Sequence, residues 1–133
     1  MRIYLDCCCL QRPFDDQTQP RIKVETEAVL VILASVQTGD VSLLGSEALD
    51  YEASRIPNDE RRGQMAAILT LANEYVELTP GVEQLAESLE KSGIFPMDAI
   101  HLALASMAGP IFSLLVTANC YRKGRCWLSL SVL

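Results

Sequence analysis

Short apolar runs rich in strand-forming residues alternate along the chain with longer stretches whose apolar residues return at helical spacing. The first run, residues 3–5, holds Ile3, Tyr4 and Leu5; further runs lie at 41–44, 76–78 and 111–116, and each suits a short buried strand. Between them Ile22, Val29, Ile32, Leu33 and Val36 mark a helix that Gly39 is placed to stop. A short helix is expected over 47–55, since Ile56 precedes Pro57 and is biased away from helix. Met65, Ile68, Leu69 and Ala72 share a face within 59–76, and Val82, Leu85, Ala86 and Leu89 form another amphipathic helix closed by Gly93. Pro96 suits the first position of a last helix, while the polar stretch 11–20, with Pro13, Asp15, Asp16 and Pro20, is expected to be a loop. Strands alternating with helices predict an α/β fold with a mostly parallel sheet of four or five strands in a three-layer α/β/α arrangement. Sites in such sheets lie beyond the carboxyl ends of the strands.

Half of the 133 residues are hydrophobic, enough for one domain, 1–133, with its own core. The net charge of -6 excludes a broad basic footprint, so contact with nucleic acid is expected to be local and metal-assisted. The apolar start ends at Asp6, which argues against a signal peptide, and the longest apolar stretch, 28–34, is too short to span a bilayer. A soluble, cytoplasmic protein is expected. Cys7, Cys8, Cys9, Cys120 and Cys126 lack paired CxxC spacing, and three are consecutive, so reduced thiols are expected rather than a zinc site.

Two carboxylates stand at the edges of apolar structure. Asp6 closes the first strand and Asp98 opens the run Ala99, Ile100, His101, Leu102, Ala103. A carboxylate at the edge of a core is costly without a compensating cation or hydrogen bonds, so the pair suggests a shared site, most simply a metal site. Each also has a plainer explanation: Asp98 as a helix N-terminal charge, Asp6 as the cap of the next turn, and Glu52 as one of several acids on a solvated helix face. Glu25 and Glu27 are assigned to an exposed face, His101 to a hydrogen-bonded packing role, and Arg12 to a loop from which it could reach phosphate.

The segments Ile3-Tyr4-Leu5-Asp6, Ser46-Glu47-Ala48-Leu49-Asp50-Tyr51-Glu52 and Met97-Asp98-Ala99-Ile100-His101-Leu102-Ala103 resemble the PIN domain family of metal-dependent ribonucleases, which includes the toxin halves of toxin–antitoxin pairs. The likeness weakens after about residue 109. It implies Asp6, Glu52 and Asp98 as catalytic and metal-binding residues, Mg²⁺ or Mn²⁺ as the ion, RNA as substrate, an antitoxin protein as partner and a homodimer as the assembly. In such a site hard oxygen ligands hold a hard cation, and no covalent enzyme nucleophile is needed.

The family's fourth acidic residue lies in a T-x-D pattern, where this chain has Thr117, Ala118 and Asn119. Asn119 offers a neutral carbonyl oxygen and removes a charge from the fourth position. Residues 126–130 also read as a strand rather than the family's polar tail. A catalytically degenerate scaffold that binds a protein partner is therefore one alternative function. A haloacid-dehalogenase-like phosphohydrolase is another, ranked lower because Cys8 stands where that class carries its second aspartate.

The genetic code supplies an explanation for the departure. Asn119, Cys120 and Tyr121 are encoded by AAY, TGY and TAY, so joining each third base to the next two gives YTG and YTA, both leucine. The same frame reads NAC across Val116 and Thr117, which is Asp when N is G, and it can supply Thr two places earlier, giving T-x-D-x-x-L-L. A frameshift near 112–115 accounts for both features and predicts that the Val116 codon ends in G; sequencing the encoding DNA and finding any other base there removes the explanation.

Overall fold

The computed structural model describes residues 1–109 and the backbone of two further strands, Phe112–Leu115 and Ser129–Val132. The chain is an α/β protein. β1 (Arg2–Leu5) pairs in parallel with β2 (Ser42–Ser46), placing Ile3 opposite Leu43 and Tyr4 opposite Leu44. β2 pairs in parallel with β3 (Glu74–Val76), and on its other side β1 pairs in parallel with β4 (Phe112–Leu115), Leu5 facing Leu114. β5 (Ser129–Val132) lies antiparallel on β4, so the strands run β3-β2-β1-β4-β5. β1 has a neighbour on each edge because Ile3, Tyr4 and Leu5 can all be buried, as strands of parallel sheets require.

Among the described residues six α-helices connect and cover these strands: α1 (Cys7–Gln11), α2 (Pro20–Thr38), α3 (Glu47–Ser54), α4 (Asp59–Leu69), α5 (Pro80–Lys91) and α6 (Pro96–Met107). α2 ends where Gly39 takes a left-handed φ of 85°, while the Asp40 N–H donates back to the Ser35 carbonyl. The principal core joins Tyr4, Leu5, Leu10, Val29, Leu43, Leu44, Leu49 and Met65. Each large aliphatic side chain buried in this way contributes about 1.5–3 kcal/mol. A second cluster sets Ala48 of α3 and Val82 and Ala86 of α5 against Ala99, Ala103 and Leu104 of α6. Its alanines let the helix backbones approach closely. No helix among the described residues is long and apolar enough to cross a membrane.

Several local expectations need correction. Residues 11–20 are not simply a loop: Gln11 belongs to α1, and a 3-10 turn spans Arg12–Phe14. The plainer reading of Asp6, by contrast, holds: it caps α1 by accepting a hydrogen bond from the Cys9 N–H at 2.8 Å. The helix expected within 59–76 stops at Leu69, and β3 starts before the expected 76–78 strand. There the Asn73 N–H donates to Leu43, drawing the chain onto β2, whereas the Leu78 N–H is already taken by the Glu47 carboxylate.

Glu25 is not on an exposed face. It is buried and accepts from Arg12 at 2.6 Å and from Arg21 at 2.8 Å, while Glu27 is exposed as expected. Arg12 also pairs with Asp15, which pairs in turn with Arg61 of α4. The arginine read as a phosphate contact thus joins the 3-10 turn to α2, as a charge buried on one side requires. The strand-like reading of 126–130 is matched at Ser129 and Leu130, which lie in β5; 126–128 lie outside the described residues.

Candidate functional site

Local structure delivers each of the three acidic candidates to the carboxyl-end side of the parallel strands. Asp6 follows β1 directly and is 3 % exposed. Glu52 lies on α3, which begins where β2 ends because the Ser46 hydroxyl caps it by accepting from the Leu49 N–H at 3.2 Å. On α3, Ala48, Leu49 and Ala53 are buried, and Glu52 beside them is partly exposed. Asp98 sits in the first turn of α6, 8 % exposed, where Pro96 starts the helix and the dipole favours a negative charge.

Their electrostatic surroundings overlap. Burial raises the Asp98 carboxyl above its ordinary value; a positive charge on His101 would oppose the shift, and the Glu52 charge adds to it. Burial likewise pushes the Cys7 and Cys8 thiols up to about 12, with both Glu52 and Asp6 contributing. Tyr4 is shifted upward chiefly by burial and also feels both carboxylates. Asp6 and Glu52 therefore act on the same thiols and phenol, and Glu52 acts on Asp98. Cys7 and Cys8 are free thiols and stay protonated at neutral pH, which disfavours them as soft-metal ligands.

A chain of buried polar groups runs through the centre of this region. The Glu52 Oε2 lies 2.7 Å from His101 Nε2, His101 Nδ1 lies 2.7 Å from the Tyr4 hydroxyl, and that hydroxyl lies 2.9 Å from Ser46 Oγ. His101 is 2 % exposed, and Tyr4 and Ser46 are fully buried. The packing role expected of His101 is present, joined to a direct contact with one of the acidic candidates. Sequence reasoning did not single out Tyr4 or Ser46 as functional. Their signal was physical: a tyrosine at a buried strand position needs a partner for its hydroxyl, and this chain has one histidine to offer.

Asp6, Glu52 and Asp98 provide hard carboxylate oxygens, the donor type that suits Mg²⁺ or Mn²⁺, and the raised Asp98 carboxyl is a group that a nearby cation would compensate. Among the described residues no three His, Cys, Asp or Glu side chains are gathered into one ready-made metal cage. Thr117 and Asn119, the candidates for a fourth position, lie outside the described residues, as do Cys120 and Cys126. No family model matches the chain, and no characterised protein was found to match it.

The raised Asp98 carboxyl fixes the sign of a stability effect. A carboxyl whose pKa is higher in the folded than in the unfolded chain favours folding below the unfolded value, and this advantage is lost as the pH rises through the folded value. Asp98→Asn is thus expected to raise the urea midpoint of the metal-free protein at pH 7, with a smaller gain toward acid pH. Chemical denaturation in the presence of a chelator measures this, and a midpoint lowered at neutral pH contradicts it.

Proposed function

We propose that the chain is a PIN-like, Mg²⁺- or Mn²⁺-dependent endoribonuclease that hydrolyses RNA phosphodiester bonds. The observation that carries this reading is the placement of Asp6, Glu52 and Asp98 at the carboxyl-end side of the parallel strands, with Glu52 acting electrostatically on the buried Asp98. The PIN-like reading extends to a three-layer fold with a central sheet of four or five strands. Asp6 and Asp98 would hold the ion. Glu52, whose Oε2 contacts His101, would turn its other oxygen toward a water, orient it and accept its proton. A bound divalent cation supplies charge compensation at phosphate and a more acidic water. The net charge of -6 fits an enzyme whose hold on RNA depends on that compensation rather than on a basic surface.

The same proposal makes the protein the toxin of a cytoplasmic toxin–antitoxin pair, acting as a homodimer and blocked by the antitoxin. A second reading, a noncatalytic scaffold for a protein partner, is favoured by Asn119 at the position where the family pattern carries aspartate. Cleavage separates the two. Purified protein given Mn²⁺ and single-stranded RNA is expected to cleave it, and Asp6→Asn is expected to reduce the rate at least a hundredfold, whereas a wild-type chain that binds Mn²⁺ without cleaving supports the scaffold.

A further inference from the structure

The hydrogen bonds around His101 can be assigned a direction. The Leu49 N–H can only donate, so the Ser46 oxygen accepts from it; the buried Ser46 hydroxyl proton still needs an acceptor, and the Tyr4 oxygen at 2.9 Å supplies one. The Tyr4 hydroxyl then donates to His101 Nδ1 at 2.7 Å, and Nε2 carries the ring proton and donates to Glu52 Oε2, also at 2.7 Å. Every donor is used once, and each bond polarises the next. A proton on Nδ1 would turn the Tyr4 hydroxyl back toward Ser46 and leave the fully buried Ser46 proton to find an acceptor other than Tyr4.

We propose that His101 is a positioning residue: locked by Ser46 and Tyr4 in the neutral Nε2–H tautomer, it pins one oxygen of Glu52 and aims the other into the candidate metal site. This role rests on the nuclease reading, while the tautomer rests on the geometry alone. Partners that orient carboxylates at metal sites commonly change metal affinity or activity 10–100-fold when removed. The arrangement also explains why a fully buried position in β1 carries Tyr4, where phenylalanine would fill the same space.

The single histidine makes the test direct. In ¹⁵N-histidine-labelled protein at a fixed neutral pH, the two ring nitrogens of His101 are expected to show a protonated Nε2 and an unprotonated, hydrogen-bonded Nδ1. Tyr4→Phe keeps the buried ring and removes only the hydroxyl; it is expected to shift the Nδ1 resonance and to weaken Mn²⁺ binding, read by calorimetry, about tenfold. An Nδ1–H tautomer or an imidazolium in the wild type, or an Nδ1 resonance indifferent to Tyr4→Phe, overturns the proposal. The expected tautomer with equal Mn²⁺ affinity in both proteins also overturns the positioning role and leaves His101 as core packing. A wild-type protein with the expected tautomer but no Mn²⁺ binding removes the nuclease reading and the metal-directed role, while the directed hydrogen bonds stand.

Discussion

Everything in this molecule is built around β1, a strand of four residues that must be buried on both edges while carrying a phenol into the interior. Parallel partners satisfy its backbone, and Ser46 and His101 satisfy the Tyr4 hydroxyl. Meeting both demands together ties the end of β2, the start of α3 and the second turn of α6 to one point. Asp6, Glu52 and Asp98 are then near that point by construction: Asp6 is two residues beyond Tyr4, Glu52 touches the histidine, and Asp98 is about one helical turn before it. The candidate site is therefore a by-product of how the central strand is satisfied.

The sign of the electrostatics distinguishes this region from the other buried charge of the fold. Glu25 is buried as well, yet it receives two arginines and functions as a joint between α2 and the 3-10 turn. At Asp98 burial raises the carboxyl, a positive charge on His101 would lower it, and the Glu52 charge raises it further. A structural acid is usually given its cation by the chain, whereas an acid that shares its surroundings with other acids is suited to receive one from solvent. That contrast supports a metal site at Asp98 and not at Glu25, although the two are equally buried.

The alternation of strands and helices was legible because apolar spacing switches cleanly between the two patterns, and Gly39 and Gly93 mark helix ends that the structure places beside them. Asp6 and Asp98 stood out because acids at the edges of buried elements are unusual, whereas Glu52, one acid among several on its helix, was singled out only by the resemblance to the PIN family. What could not be read was any feature set by distant partners. The capping role of Asp6 was considered, yet a five-residue helix of three cysteines carries little periodic signal. Glu25 looked solvent-facing because its compensation comes from Arg12, thirteen residues earlier. The Ser46–Tyr4–His101 chain joins residues 42 and 97 positions apart, a link that no local pattern encodes.

The central claim is that these carboxylates share a divalent cation, and its location is the most direct observation. Anomalous diffraction from crystals grown with Mn²⁺ is expected to place an ion about 2.1 Å from carboxylate oxygens of Asp6 and Asp98, with Glu52 facing it through water or directly. An ordered site with no anomalous density beside Asp6 and Asp98, while manganese is found elsewhere on the molecule, would contradict the account.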